Sequence, residues 1–187
     1  MRDGSRPMPT SRGVMVVGFY AGLAMLAIVF SAGRGDPDVY RLDEEAGALS
    51  LLLGPALGLG VGLAIVVASI LASRRYAWAR GLEAAFRDLL GPLSSREVFL
   101  LAAASSIGEE LLFRGALLSW LGLWPQAVIF ALLHVGPGKR FLPWTASALV
   151  LGLGLGLASQ ATGNLGAAIV AHFVINFLNL RRIVGIR

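Results

Sequence analysis

Apolar residues in this chain neither alternate nor recur on a single helical stripe; they run together. Six such stretches cover residues 14–31, 47–72, 96–120, 124–138, 143–160 and 164–180. Runs of this length and polarity predict helices that cross a bilayer. The fourth and fifth are short, which implies tilt, shielding or local thinning of the membrane. The linkers carry matching start signals. Ser94 and Glu97 form an S-x-x-E capping box ahead of the third stretch. Pro125 and Pro143 suit the first turns of the fourth and fifth helices. Asn164 is the expected N-cap of the sixth. The fold class read from this pattern is all-α: a polytopic bundle of about six transmembrane helices forming one integral membrane domain over residues 1–187.

Residues 76–90 have a different pattern. Trp78, Leu82, Phe86 and Leu89 share one helical face, and Arg80, Glu83 and Arg87 another. This suits a helix lying on the membrane surface between the second and third spans, or an ordinary linker helix. Trp78 and Trp144 on one side, and Trp120 and Trp124 on the other, are placed as interfacial belts. Gly54, Gly58 and Gly62, then Gly152 and Gly156, are spaced for close helix contact.

Composition supports the membrane assignment. Of 187 residues, 56% are hydrophobic and only 14% charged, with a mean hydropathy of +0.74. Soluble domains carry about 25% charged residues. The net charge of +5 is explained by loop anchoring rather than by nucleic acid, which is not expected as a partner. Arg2, Arg6, Arg12, Arg74, Arg75, Arg80, Arg87, Arg96, Lys139, Arg140, Arg181, Arg182 and Arg187 all fall on one side of a six-span chain. Arg34 and Arg41, outnumbered by acidic residues, fall on the other. The expected topology has both termini in the cytoplasm of a bacterial-type plasma membrane. The first apolar run is longer than a usual signal-peptide core, and no A-x-A site follows it, so it reads as an uncleaved span.

Cysteine is absent, which excludes disulfides and thiolate metal sites. Only two histidines occur. Against this background "EELLFR" at 109–114 stands out, because a charge at the membrane centre costs about 2.5–3.5 kcal/mol. Glu110 and Arg114 are i and i+4 and can pair. Glu109 is turned about 100° away, free for other work. "FALLH" places Phe130 and His134 one turn apart, and "HFVIN" does the same for His172 and Asn176. Counted from the basic ends of their helices, Glu109, His134, His172 and Asn176 all fall in the cytoplasmic half of the bilayer. One carboxylate, two imidazoles and an amide can therefore converge.

Two hydrolytic chemistries remain open for such a group. Glu109 and a histidine can activate a water while the other histidine and the amide bind an oxyanion. Alternatively, Glu109, His134 and His172 can ligate Zn²⁺ and leave a position for water. The H-E-x-x-H pattern is absent, so a zinc site would be assembled from separate helices.

The three motifs resemble, in order, the E-E-x-x-x-R, F-x-x-x-H and H-x-x-x-N motifs of the CPBP intramembrane proteases. That family includes CAAX prenyl endopeptidases and bacterial proteins of bacteriocin processing and self-immunity. The motifs span residues 109–176, within a region of about 96–180; the first two spans match in hydropathy alone. The resemblance implies an endopeptidase that cleaves a membrane-associated protein or peptide near the cytoplasmic face. Glu109 and His134 would activate water, and His172 and Asn176 would stabilise the oxyanion or complete a metal site. Glu110 would pair with Arg114, and Phe130 would shape the pocket. A non-catalytic scaffold, immunity or regulatory protein on the same fold is one alternative. A small transporter relaying protons through Glu109 and His134 is another, though no internal repeat supports it.

Overall fold

The computed structural model describes residues 10–36 and 38–186. Arg2, Arg6 and Arg187, counted above for orientation, lie outside the described residues, as does the side chain of Arg12. The helices are α1 (Thr10–Gly33), α2 (Ser50–Arg75), α3 (Ala77–Leu90), α4 (Ser95–Glu110), α5 (Leu118–Leu121), α6 (Leu123–Leu133), α7 (Leu142–Thr162) and α8 (Gly166–Ile183). A π-helical segment, Leu111–Leu117, joins α4 to α5, and a 3₁₀ turn, Lys139–Phe141, precedes α7. Among the described residues there is no strand, only an isolated bridge between Arg41 and Asn164.

The protein is an all-α integral membrane bundle. Helical segments Gly13–Gly33, Ser50–Arg75 and Lys139–Thr162 are long and apolar enough to cross a bilayer. The other predicted spans are shorter or carry the polar motifs: the run from α4 through the π segment to α5, the eleven residues of α6, and α8. Val14, Met15, Leu52, Leu132 and Val150 are largely exposed, as expected where lipid replaces water as solvent.

Local signals explain several helix ends. Ser94 and Glu97 form the predicted reciprocal capping box at the start of α4. Pro143 occupies the first turn of α7. The fourth predicted span stops early, at Leu133 rather than 138. The Gly136-Pro137-Gly138 sequence cannot continue a helix, and Gly138 adopts a positive φ of 91°. His134 closes the end with its own ring, Nδ1 donating to the Phe130 carbonyl at 2.7 Å. Thr145 Oγ1 donates to the His134 carbonyl at 2.7 Å. Asn164 does not cap α8 in the predicted register, because the helix begins at Gly166 with Leu165 as N-cap. The Asn164 side chain makes a local turn instead. Its Oδ1 accepts from Gly166 N–H, and its Nδ2 donates to the Ser50 and Thr162 carbonyls, tying three elements together.

The glycine spacings mark real close contacts. Gly54, Gly58 and Gly62 are buried where α2 crosses α8. A Cβ on Gly58 would collide with the carbonyl oxygen of Ala167. Gly152 and Gly156 bring α7 against Ala127, Leu123 and Gln126 of α6. Gly58→Leu is expected to destabilise the protein by about 1–3 kcal/mol or more, whereas Gly60→Leu, with nothing within 4 Å, should leave thermal unfolding unchanged. Equal unfolding temperatures for the two variants would contradict this packing.

Part of the polar face of α3 turns into the bundle. Glu83 pairs with Arg182 of α8 at 2.6 Å and accepts from Ser73 of α2. Arg87 Nε donates to the Ile183 carbonyl at 2.8 Å. Phe86 packs edge-on against Phe141 and Trp144, while Trp78 and Leu89 stay exposed. These contacts gather α3, the end of α8 and the Lys139–Phe141 turn at one end of the bundle, as the six-span count requires. Trp144 departs from its expected place in an interfacial belt. It is half-buried against the His134 ring, with centroids 5.1 Å apart.

Candidate active site

The site is assembled from α4, the segment after it, α6 and α8. Glu109 and Glu110 are the last two residues of α4 and are both buried. Arg114 lies in the π segment and is fully buried. Its Nη1 donates to Glu110 Oε1 at 2.8 Å, so the i, i+4 pair read from the sequence is present. Arg114 Nη2 also donates to the Gly152 carbonyl at 3.4 Å, and the guanidinium stacks 4.4 Å from the Phe130 ring centroid. Phe130 packs in turn against His134, with centroids 4.2 Å apart.

Glu110 has a second role that the sequence did not disclose. Its Oε1 accepts from His172 Nδ1 at 2.7 Å. A carbonyl and an ionised carboxylate can only accept. Nδ1 of both His134 and His172 therefore carries a hydrogen, and in its neutral form each ring turns the lone pair of Nε2 the other way. Both Nε2 atoms face one oxygen, Glu109 Oε2, at 3.6 Å from His134 and 4.0 Å from His172. That oxygen is buried and has no hydrogen-bond partner among the described residues. Three acceptors thus converge, a set suited to a group that brings hydrogens or positive charge.

Among the described residues no three His, Asp or Glu side chains are arranged to hold a metal ion. Glu110 is already engaged by Arg114 and His172. Glu109, His134 and His172 are the residues that would hold Zn²⁺, and the same three atoms can hold a water.

Asn176 stands one turn beyond His172, and its Nδ2 donates to Ser105 Oγ at 3.1 Å. Ser105 is one turn before Glu109 on α4, so this bond fixes α4 and α8 together beside the acceptor cluster. A small cavity of about 50 Å³ is lined by Phe130, His134, Trp144, Ala148, His172 and Asn176, among others. It lies between α6, α7 and α8. At its far end α7 and α8 close, with Leu155 packed on Ala168 and Ala171. The walls are mainly apolar, and the polar groups are concentrated on the two histidines and Asn176.

The structure brings Glu109, His134 and His172 into one cluster, with Asn176 next to it and Glu110, Arg114 and Phe130 packed behind. His172 lies six residues after the start of α8 and eleven before its end, about 9 Å and 16 Å along the axis. His134, at the end of α6, lies five residues before Lys139. Ser105, Trp144, Thr145 and Tyr20 were not singled out from sequence. Ser105 had a signal, a polar residue four before Glu109; the others are joined to the site only by tertiary packing.

Comparison with known proteins converges on the same region. Residues 92–178 match the family model for Type II CAAX prenyl endopeptidase Rce1-like proteins. This interval contains every motif residue and leaves α1, α2 and α3 outside. A curated relative, the Bacillus subtilis (strain 168) protein named "Uncharacterized protein YpbD", is 38% identical over 93 residues, covering 48% of this chain and 47% of that protein. The chain spans about half the length of the curated relative it matches. No solved structure matches it. Over residues 92–178, which hold all the motif residues, the chain is similar to the Rce1-like type II CAAX prenyl endopeptidases.

Proposed function

We propose that the protein is an intramembrane endopeptidase that hydrolyses a membrane-associated protein or peptide substrate of CAAX or leader-peptide type. Both termini and the basic end of the bundle face the cytoplasm of a bacterial-type plasma membrane. The observation that carries this reading is the convergence of His134 Nε2 and His172 Nε2 on the unpartnered Glu109 Oε2. Of the two chemistries open to the motif residues, the reading adopted is direct activation of water by side chains.

In that chemistry a water held at the cluster donates hydrogens to Glu109 Oε2 and His134 Nε2. Its oxygen attacks the scissile carbonyl as Glu109 takes a proton. The carbonyl oxygen becomes an oxyanion. Asn176 can meet it with the second hydrogen of an amide whose first is held by Ser105. His172 can donate from Nε2 as an imidazolium, with Glu110 at Nδ1 as counter-charge. Collapse breaks the C–N bond, and Glu109 returns the proton to the leaving amine. The apolar walls of the neighbouring cavity exclude bulk water, which strengthens each of these interactions.

Chelation tests this choice. Washed membranes containing the protein are expected to keep generating new peptide termini after treatment with 1,10-phenanthroline and EDTA. Cleavage that stops on chelation and returns with added zinc would overturn the metal-free route and reinstate Glu109, His134 and His172 as ligands.

A further inference from the structure

Helix α1 lies outside the family-matched segment, and most of its apolar span is exposed, with only 6% buried inside the bundle. It nevertheless makes one close approach to the site. A Cβ added to Gly108 would lie 2.6 Å from the Tyr20 carbonyl oxygen and 3.1 Å from its Cβ. The two helix backbones can touch here only because residue 108 has no side chain, and this crossing is immediately before Glu109. Tyr20 is half-buried there, with its hydroxyl close enough to Glu109 for the two to interact. The phenol can donate and the carboxylate accept. Glu109 Oε2 has no partner, so a bond from the phenol would fall on Oε1.

A carboxylate at the end of a helix has free rotation about its terminal bonds unless something fixes it. Held through Oε1, Glu109 presents Oε2 to both imidazoles. We infer that the Tyr20 hydroxyl donates to Glu109 Oε1 and that Tyr20 is a positioning residue which orients Glu109 for reaction, making α1 part of the working site. This inference rests on the endopeptidase reading for its consequence, though the Tyr20–Glu109 bond can be tested without it.

The test combines a spectroscopic and a functional readout on the full chain in lipid. The infrared difference between wild type and Glu109→Gln isolates the Glu109 carboxylate bands. The same difference taken in a Tyr20→Phe background should show those bands shifted. Tyr20→Phe removes only one oxygen, and unchanged thermal unfolding would show that the fold is intact. Misplacing a reacting group by about 1 Å can slow a reaction about a hundredfold, so new termini in membranes should fall about ten- to a hundredfold. In the Glu109→Gln background Tyr20→Phe should add nothing. Unshifted bands would overturn the bond, and shifted bands with undiminished cleavage would overturn the positioning role. If wild type itself produces no new termini, the endopeptidase reading falls together with the positioning role, while the infrared bands still decide the bond.

Discussion

Arg114→Ala is expected to lower the thermal stability and membrane yield of the protein more than any other single change at the site. Arg114 and Glu110 are both inaccessible to solvent, joined at 2.8 Å. Removing one partner of a buried ion pair costs about 3–5 kcal/mol, because the Glu110 charge loses its arginine and keeps only the bond from His172. Two further contacts disappear with the guanidinium, its bond to the Gly152 carbonyl and its stacking on Phe130. Together these link the end of α4 to α6 and α7. The stranded charge is the largest part of the loss, so Arg114→Ala with Glu110→Gln should unfold at a higher temperature than Arg114→Ala alone. A wild-type unfolding temperature and yield for Arg114→Ala would contradict a structural ion pair.

Glu109→Gln should behave in the opposite way. Loss of a general base typically slows a reaction by about 10²–10⁴-fold, and proteolysis should fall by at least that. Stability should hold or rise. Glu109 Oε2 makes no hydrogen bond in the folded protein, and a buried carboxylate oxygen without a donor is costly. An amide there removes the charge and supplies hydrogens to the same acceptors. A functional residue held at a cost in stability is the pattern expected of an active site. Thermal unfolding in detergent and the rate of terminus formation in membranes measure the two halves separately. A Glu109→Gln protein that unfolds early would instead mark Glu109 as structural.

What could be read from the sequence was what depends on neighbours along the chain. Ser94 and Glu97 cap α4 because both partners lie within one turn. Glu110 and Arg114 pair because helical geometry places them side by side. Gly54, Gly58 and Gly62 announced a close crossing, though not that α8 was the partner. The motifs gave the three helices that meet at the site. What stayed hidden depends on tertiary geometry. The bond from His172 to Glu110 joins residues 62 positions apart. Nothing in α1 distinguishes Tyr20 from an interfacial aromatic until α1 is seen against Gly108. Trp144 looked like a belt residue because its place near a helix end is typical of one; its contact with His134 arises from the antiparallel packing of α6 on α7. The π segment Leu111–Leu117 left no mark in an apolar sequence read as one continuous span.

The measurement that bears most directly on the central claim is a comparison of protein N-termini in native membranes from cells carrying wild type or Glu109→Gln, expressed equally. The account predicts termini that appear only with wild type, at sites within or next to the membrane-embedded ends of their parent proteins. Identical sets of termini from both strains would contradict it and would leave the protein as a non-catalytic member of the same fold.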